Sequence, residues 1–417
     1  MKKLLTILKY FGAIFLIILT VGLSARAILL MPKIWLNDIA AKQNFDMATH
    51  ISAYPFIKNH YVVSTKAGQV YLFEEGKATR KLMLDISDKV KSNTGEEGLL
   101  STIFDPQNKD VVYLYYSFDN PHGNRLVRMQ LSDDKYEILA DTEEVILEYL
   151  KPHTGHNGGD MKFGSDGYLY LSIGEGGYAT KGKSLELPSV YLGSIIRIDP
   201  RNASEDKNYS IPSDNPFVGN TRGIPTEVFV HGLRNPWRWS FVDDKTLIIG
   251  DVGDKKHEEI NMGSAGADFG WPFMEGPKCT RYKKNCDIKS YQMPKTYFSR
   301  AVLRSITGGL VYKGEKVKRF KGKYVFGDYL RGIMSLPFKN MPKAIKEVTD
   351  SGFITEFPKL PMPFGPTKGD NIHPVSFFED ANNEILVVTL NGGIFRIEEI
   401  SFMDTLKSFF YMVTSLR

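Results

Sequence analysis

The chain reads as an all-β protein, a six-bladed β-propeller with an N-terminal membrane-anchor or signal helix. Three observations lead there. Aromatic residues make up 12% of 417 positions, glycines number 37, and few stretches show helical spacing, a composition of short strands joined by tight turns. Strand-and-turn units recur at irregular intervals of roughly 50 to 70 residues, as blades do in a propeller, whose radial repetition limits exposed strand edges. At the start, Lys2, Lys3 and Lys9 precede the apolar run Phe11 to Leu23, the layout of an export signal.

Taken in order, Ser24-Ala25-Arg26-Ala27 follows the apolar run, and the apolar character resumes at Ile28-Leu29-Leu30-Met31. The small-residue site permits cleavage after Ala27. From Leu4 to Met31, however, the segment is longer than the roughly 20 residues that span a bilayer, which favours an uncleaved anchor over residues 4–31. The lysines ahead of the run hold that end in the cytoplasm, so the body is expected on the periplasmic side of the inner membrane. Residues 1–32 are assigned to the signal or anchor, 33–45 to a linker, 46–400 to the propeller and 401–417 to an amphipathic C-terminal helix. In that tail Phe402, Leu406, Phe409, Phe410 and Val413 fall near helical spacing, suited to packing on the propeller or lying on a membrane.

Within the body the units are Tyr61 to Ser64 with Gly68 to Phe73, then Val111 to Tyr116, Tyr168 to Ile173, Leu247 to Gly250, Lys323 to Gly327 and Glu384 to Val388. Short second strands with a basic-apolar pattern accompany several of them: Ile195 to Asp199, Gly332 to Leu336 and Gly393 to Ile397. A formal charge of +5, without a lysine or arginine run in the body, gives no nucleic-acid-binding face. Cys279 and Cys286, seven apart in a loop-like stretch, predict a local disulfide in an exported protein. Two thiolates without nearby histidines are an incomplete metal set.

The richest stretch is His156 to Gly177, HNGGDMKFGSDGYLYLSIGEGG. It sets a histidine and two glycines ahead of a turn, an alternating strand and a second glycine-rich loop. Glycines let backbone and ligand approach closely, and a neutral histidine can act as general base near pH 7; in isolation it would read as an ordinary loop histidine. Gly95-Glu96-Glu97-Gly98 places two acids in a glycine-bounded loop, and Asn215-Pro216-Phe217 is a turn. In His231 to Arg238, HGLRNPWR, an arginine beside an asparagine suits a planar oxyanion or a quinone-like carbonyl, or a salt bridge between blades. Asp251-Val252-Gly253-Asp254, followed by Glu258-Glu259-Ile260-Asn261, offers the oxygen donors that Ca²⁺ takes, or a solvated acidic turn.

On these motifs the chain resembles the glucose/sorbosone dehydrogenase family, soluble-type quinoprotein sugar dehydrogenases on six-bladed propellers that bind pyrroloquinoline quinone (PQQ) and calcium. The resemblance runs from about Asp46 to Glu398 through GEEGLLSTIFDP, HNGGDMKFGSDGYLYLSIGEGG, LGSIIRIDP, HGLRNPWRWSF, GDVGDKKHEEIN and ADFGWPFMEG. SIPSDNPFVG, the NPW of HGLRNPWRWSF, the cysteine pair and SITGGLVYKG are similar to the branch containing hedgehog-interacting-protein-like proteins. The resemblance implies His156 as the base for the sugar's anomeric hydroxyl and Arg234 and Asn235 as the pair on the quinone. It implies the backbone carbonyls of Gly253 and Asp254 on a Ca²⁺ that polarises the quinone carbonyl, and Glu96 or Glu97 near the substrate.

Departures from the family pattern are equally legible. Trp237 stands where a glutamine is expected, and Leu330 where a lysine is expected before Arg331 and Gly332. Asn371 and His373 occupy the places of two arginines that hold cofactor carboxylates. Trp237, Arg331 and His373 remain as cofactor contacts, with Lys368 and Arg238 as further cations. The resemblance implies PQQ- and calcium-dependent oxidation of an aldose or related alcohol to a lactone, with electrons passing to a respiratory acceptor. The alternatives are a non-catalytic propeller that binds a glycan or protein partner, and a calcium-dependent propeller lactonase.

Overall fold

The computed structural model describes residues 34–177, 191–282, 286–346, 354–355 and 372–399. The expected anchor, the C-terminal helix, Lys368 and Asn371 lie outside these residues. Six blades of mainly antiparallel strands account for nearly all of the described strands. Blade 1 is Ala48–Ala53, His60–Thr65, Gln69–Glu74 and Arg80–Asp85. Blade 2 is Leu99–Phe104, Val111–Phe118, Gly123–Leu131 and Ile138–Leu150. Blade 3 is Gly158–Phe163, Leu169–Ile173, Ser194–Ile198 and Val228–His231. Blade 4 is Pro236–Phe241, Leu247–Asp251, His257–Gly263 and Thr296–Ser299, with Ala344–Ile345 added parallel at its edge. Blade 5 is Ile306–Val311, Lys323–Asp328, Gly332–Pro337 and Ile354–Thr355.

Blade 6 joins the two ends of the described chain. Pro374–Glu379, Ile385–Thr389 and Ile394–Glu399 are completed by Ile34–Asp38, in a register that sets Ile34 opposite Glu399 and Asp38 opposite Phe395. The expected linker over 33–45 is therefore corrected: its first part is a strand that closes the ring. The physical reason is the open edge that Ile394–Glu399 would otherwise present; pairing also buries Ile34 and Leu36.

The first strand of each blade lines the axis, and each packs against the first strands of both neighbouring blades, so the ring is closed. Six apolar clusters fill the wedges between consecutive blades. All six inner strands carry a register shift near their start, at 48/50, 99/101, 158/161, 236/238, 306/308 and 374/376. A bulge re-aims the side chains that follow it. This repeated device points polar residues of otherwise unlike sequence into the central channel. Cys279 and Cys286 form the expected disulfide. Among the described residues helical structure is limited to short 3-10 turns, and no helix is long and apolar enough to cross a membrane.

Candidate functional site

The mouth of the channel lies where the inner strands begin. His156 sits two residues before Gly158–Phe163, with its backbone in the left-handed region at φ 56°, an uncommon conformation for a non-glycine residue that marks local strain. Three contacts hold it there. Its N–H donates to Glu96 Oε2 at 2.9 Å, the N–H of Asn157 reaches the same oxygen at 3.4 Å, and its carbonyl accepts from Gly176 N at 3.2 Å. A Cβ on Gly174 would stand 2.1 Å from that carbonyl oxygen, so the approach requires glycine there.

The ring is fixed at both nitrogens. Nδ1 contacts Glu175 Oε1, a carboxylate with no exposed surface. The Arg234 guanidinium beside Nε2 only donates, so Nε2 presents a lone pair and Nδ1 carries the proton. That lone pair faces Arg234 Nη2 at 3.0 Å. Arg234 in turn donates from Nη1 to Val252 O at 2.9 Å, lies over the Trp271 ring at 5.4 Å and stands 3.7 Å from Asp254 Oδ1. Its Nε is buried and has no hydrogen-bond partner.

The Arg234–Asn235 backbone is pinned by Asp251, whose carboxylate accepts from Arg234 N at 3.0 Å and Asn235 N at 2.7 Å. Burial pushes the Asp251 carboxyl up to about 6, against the pull of those two N–H groups. The Asn235 amide is engaged by the scaffold: Oδ1 accepts from Gly158 N at 3.0 Å and Nδ2 donates to Glu96 Oε2 at 3.1 Å. Glu96 thus joins the loops of His156 and Asn235. Glu97 departs from the expectation of a substrate-side acid. It has no exposed surface and pairs with buried Lys151 at 3.0 Å and with His122 at 3.1 Å; a buried cation holds its carboxylate inside the loop.

Gly253 and Asp254 border the same mouth. Glu275 Oε1 gathers the N–H groups of Asp254, Lys255, Lys256 and His257 at 2.7–3.2 Å. A Cβ on Gly253 would lie 1.6 Å from His257 O, so only glycine fits this turn. Among the described residues no group of three or more His, Cys, Asp or Glu side chains is arranged around a common metal position. A cation here would rest on the two backbone carbonyls together with oxygens of its ligand, a donor chemistry that Ca²⁺ accepts.

The remaining expected contacts are spread around the rim. Trp237 is half-buried, and its Nε1 donates across the axis to Val375 O at 2.9 Å. Arg331 is exposed and reaches Ala301 O at 3.2 Å. His373 Nδ1 meets Tyr329 O at 2.7 Å, with its ring against that of Tyr329. Leu330 is 54% exposed. Arg238 is not available as a cation for the mouth. It is buried in the channel and donates to Ser376 Oγ, Trp237 O and Thr49 O at 3.1, 2.9 and 2.8 Å.

Glu175, Trp271 and Glu275 were not singled out by the sequence reading. For Glu175 a signal exists: it is an acid bracketed by Gly174 and Gly176 at the end of the strand paired with that of His156. Trp271 and Glu275 come from a loop of blade 4 that nothing local marks as near Arg234.

Fold and mouth together define a closed six-bladed propeller whose channel entrance holds a histidine between a buried carboxylate and an arginine. The chain belongs to the glucose/sorbosone dehydrogenase family, whose profile matches residues 47–341. It is 33% identical over 281 residues to HIPL1 protein of Arabidopsis thaliana, a match covering 59% of this chain and 39% of that one. It is 30% identical over 293 residues to Hedgehog-interacting protein of Homo sapiens, covering 66% and 40%. The chain thus spans about two fifths of the length of these relatives. To the aldose sugar dehydrogenase of Escherichia coli (strain K12) it is 24% identical over 300 residues, covering 68% and 76%. Among solved structures, the soluble aldose sugar dehydrogenase of Escherichia coli in its apo form aligns with a TM-score of 0.66 at 18% identity, over 88% of this chain and 99% of that one. The PQQ-bound aldose sugar dehydrogenase of Streptomyces coelicolor aligns with a TM-score of 0.62 at 18% identity, over 88% and 98%. At these identities the structural likeness speaks for the fold.

Proposed function

We propose that the chain oxidises an aldose or related alcohol to a lactone by hydride transfer, with PQQ and Ca²⁺ at the propeller mouth. One observation carries this reading: His156 is oriented through Nδ1 by buried Glu175 so that Nε2 faces the mouth beside Arg234. A histidine held in this tautomer presents the lone pair of a general base. PQQ, when bound, supplies the two-electron acceptor for the hydrogen that leaves the sugar carbon as hydride. His156 Nε2 takes the hydroxyl proton, and Glu175 balances the charge that the ring acquires. Arg234 must turn its Nη2–H from that nitrogen toward an incoming oxygen, which frees the lone pair.

The fit differs between the two ends of the cofactor. At the carbonyl end, the buried and unpartnered Nε–H of Arg234 matches an oxygen acceptor, and the carbonyls of Gly253 and Asp254 match a hard cation. At the carboxylate end, Leu330 brings no charge, and Arg331 is the cation among the described residues at the expected positions. This second end favours one other reading, a non-catalytic propeller whose mouth grips a glycan or protein partner, in keeping with the likeness to Hedgehog-interacting protein. The basic and apolar N-terminal sequence supports export and anchoring on the periplasmic side, with a respiratory acceptor receiving the electrons. The test is dye reduction by protein loaded with PQQ and Ca²⁺, across a panel of aldoses. Turnover that disappears in His156→Ala supports the oxidation; no turnover with any sugar at saturating PQQ supports the binder.

A further inference from the structure

The inner strands begin at the mouth, so the loops that follow them lie at the opposite end of the propeller, with those between third and fourth strands. At that end blade 5 is strongly basic. The loop after Val311 carries Lys313, Lys316, Lys318 and Lys321, and the loop after Pro337 carries Lys339 and Lys343; all six are exposed. The two loops adjoin, since Phe338 N donates to Gly322 O at 2.9 Å. No unbroken run announces this face, because its cations meet only when the blade folds. Blade 2, directly across the ring, has the reverse charge. Its loop Ser132 to Glu137 carries three acids and one lysine, and its loop Asp105 to Asp110 two acids and one lysine.

The acids near the basic loops are already engaged. Glu315 is paired with Lys321, and Glu75 and Asp380 of the adjacent blades are held by Arg396. Glu384 is buried and accepts from Glu315 N and Lys316 N at 3.1 and 3.0 Å. Among the described residues Lys313, Lys316, Lys318, Lys339 and Lys343 form no ion pair. Exposed ammonium groups gathered on one face repel one another, and an anionic surface relieves that repulsion.

The course of the chain brings such a surface close. Lys318 N donates to Glu399 Oε2 at 2.7 Å, Glu399 stands opposite Ile34, and Val317 and Phe320 pack in the same apolar cluster as Ile34. Ile34 comes three positions after Met31, the last residue of the apolar N-terminal stretch, a reach of about 11 Å at most. Surface charges act over a similar distance, about 8–10 Å at physiological salt. On the other side of blade 6, at the same end, Phe56 and Ile57 of blade 1 are each 37% exposed and suit the headgroup region of a bilayer.

We propose that the basic loops of blade 5 dock on a bilayer of anionic phospholipids, so that blade 5 leans onto the lipid, blade 2 tilts away from it and the mouth faces outward. The attraction is that of a polybasic segment for a negatively charged membrane surface. The inference takes the nearness of the bilayer from the anchored reading and is independent of the chemistry at the mouth.

The test is lysine acetylation of the full chain, read by mass spectrometry, in lipid nanodiscs of phosphatidylcholine alone or mixed with phosphatidylglycerol. The proposal expects Lys316, Lys318, Lys339 and Lys343 to react at least threefold more slowly in the mixed discs, a difference that molar salt removes. Lys255 and Lys256, exposed beside the mouth, react alike in both. Equal reactivity of the four lysines in the two lipids would overturn the proposal. Equal protection by inorganic phosphate without lipid would also overturn it, by assigning the patch to a free anion. A chain that does not enter phosphatidylcholine discs refutes the anchored reading alone, and the same lysines are then read on vesicles containing phosphatidylglycerol. Salt-sensitive flotation with protection of the four lysines supports the proposal there; no flotation, or flotation without their protection, overturns it.

Discussion

The two sides of the mouth are built to different standards. On the side of blades 3 and 4, the backbone N–H groups of His156, Arg234 and Asn235 end on the carboxylates of Glu96 and Asp251, and the His156 ring ends on Glu175. On the side of blades 5 and 6, Leu330 and Arg331 are exposed, and His373 is occupied by the carbonyl of Tyr329. The first side has the preorganisation that proton transfer needs, since the groups are held before any ligand arrives. The second side lacks the charge-assisted pairs that would hold an anionic ligand firmly. The side of blades 3 and 4 is thus held more firmly than the side of blades 5 and 6.

The sharpest way to break this contrast is His156→Ala. With the base removed, sugar-dependent dye reduction is expected to fall by about 10³-fold or more, with an unchanged melting curve. Turnover that persists would place the base elsewhere. Glu175→Gln keeps the shape but leaves the His156 tautomer unfixed, and kcat is expected to fall about 10²-fold while KM changes little. A raised KM with kcat unchanged would instead assign Glu175 to substrate binding.

Strengthening the weaker half should have a smaller effect of opposite sign. Leu330→Lys restores a cation at an exposed rim position, and about tenfold tighter PQQ binding is expected from one charge-assisted hydrogen bond, read by calorimetry. An unchanged affinity would mean that position 330 does not face the cofactor.

The smallest expected effect concerns stability. Burial, with the Asp251 charge behind it, pushes the Glu259 carboxyl up to about 8 from an ordinary 4.5. Between those two values the folded chain holds a proton that the unfolded chain releases, so stability falls as pH rises through that window. Glu259→Gln is expected to raise the melting temperature at pH 8.5 by a few degrees and to change it little at pH 4. The unpartnered Oδ1 of Asn261 can turn to meet the new amide. A uniform shift at both pH values would trace the effect to packing instead.

Much of the fold was legible because the second and third strands of each blade are buried on both faces and read as apolar runs, as in Val111 to Tyr116 and Leu247 to Gly250. The inner strands were not found by alternation. Gly158–Phe163, Pro236–Phe241 and Ile306–Val311 carry glycine, aspartate, lysine and arginine toward the channel, and a bulge interrupts their period. Those strands emerged only as chemical motifs, which is where the polar residues of the channel lie. The strand Ile34–Asp38 escaped notice because its partner is Ile394–Glu399, some 360 residues away, and nothing local announces that pairing.

At the site, the family resemblance pointed to His156, Arg234 and Asn235, which the structure brings together, but Glu96 and Glu97 could not be told apart. Adjacent residues there point to opposite environments, one to the His156 and Asn235 loops and the other to Lys151. The same limit applies to Trp237 and Arg238. Only the channel geometry shows that the arginine is saturated by Thr49, Ser376 and the carbonyl of Trp237.

The most direct test of the account is titration of the calcium-loaded protein with PQQ, followed by calorimetry and by the quinone absorption band. The account predicts saturable binding of one PQQ per chain that is lost when calcium is chelated and weakened at least tenfold by Arg234→Ala. Absence of binding at high micromolar PQQ would contradict it and leave the propeller as a binding module.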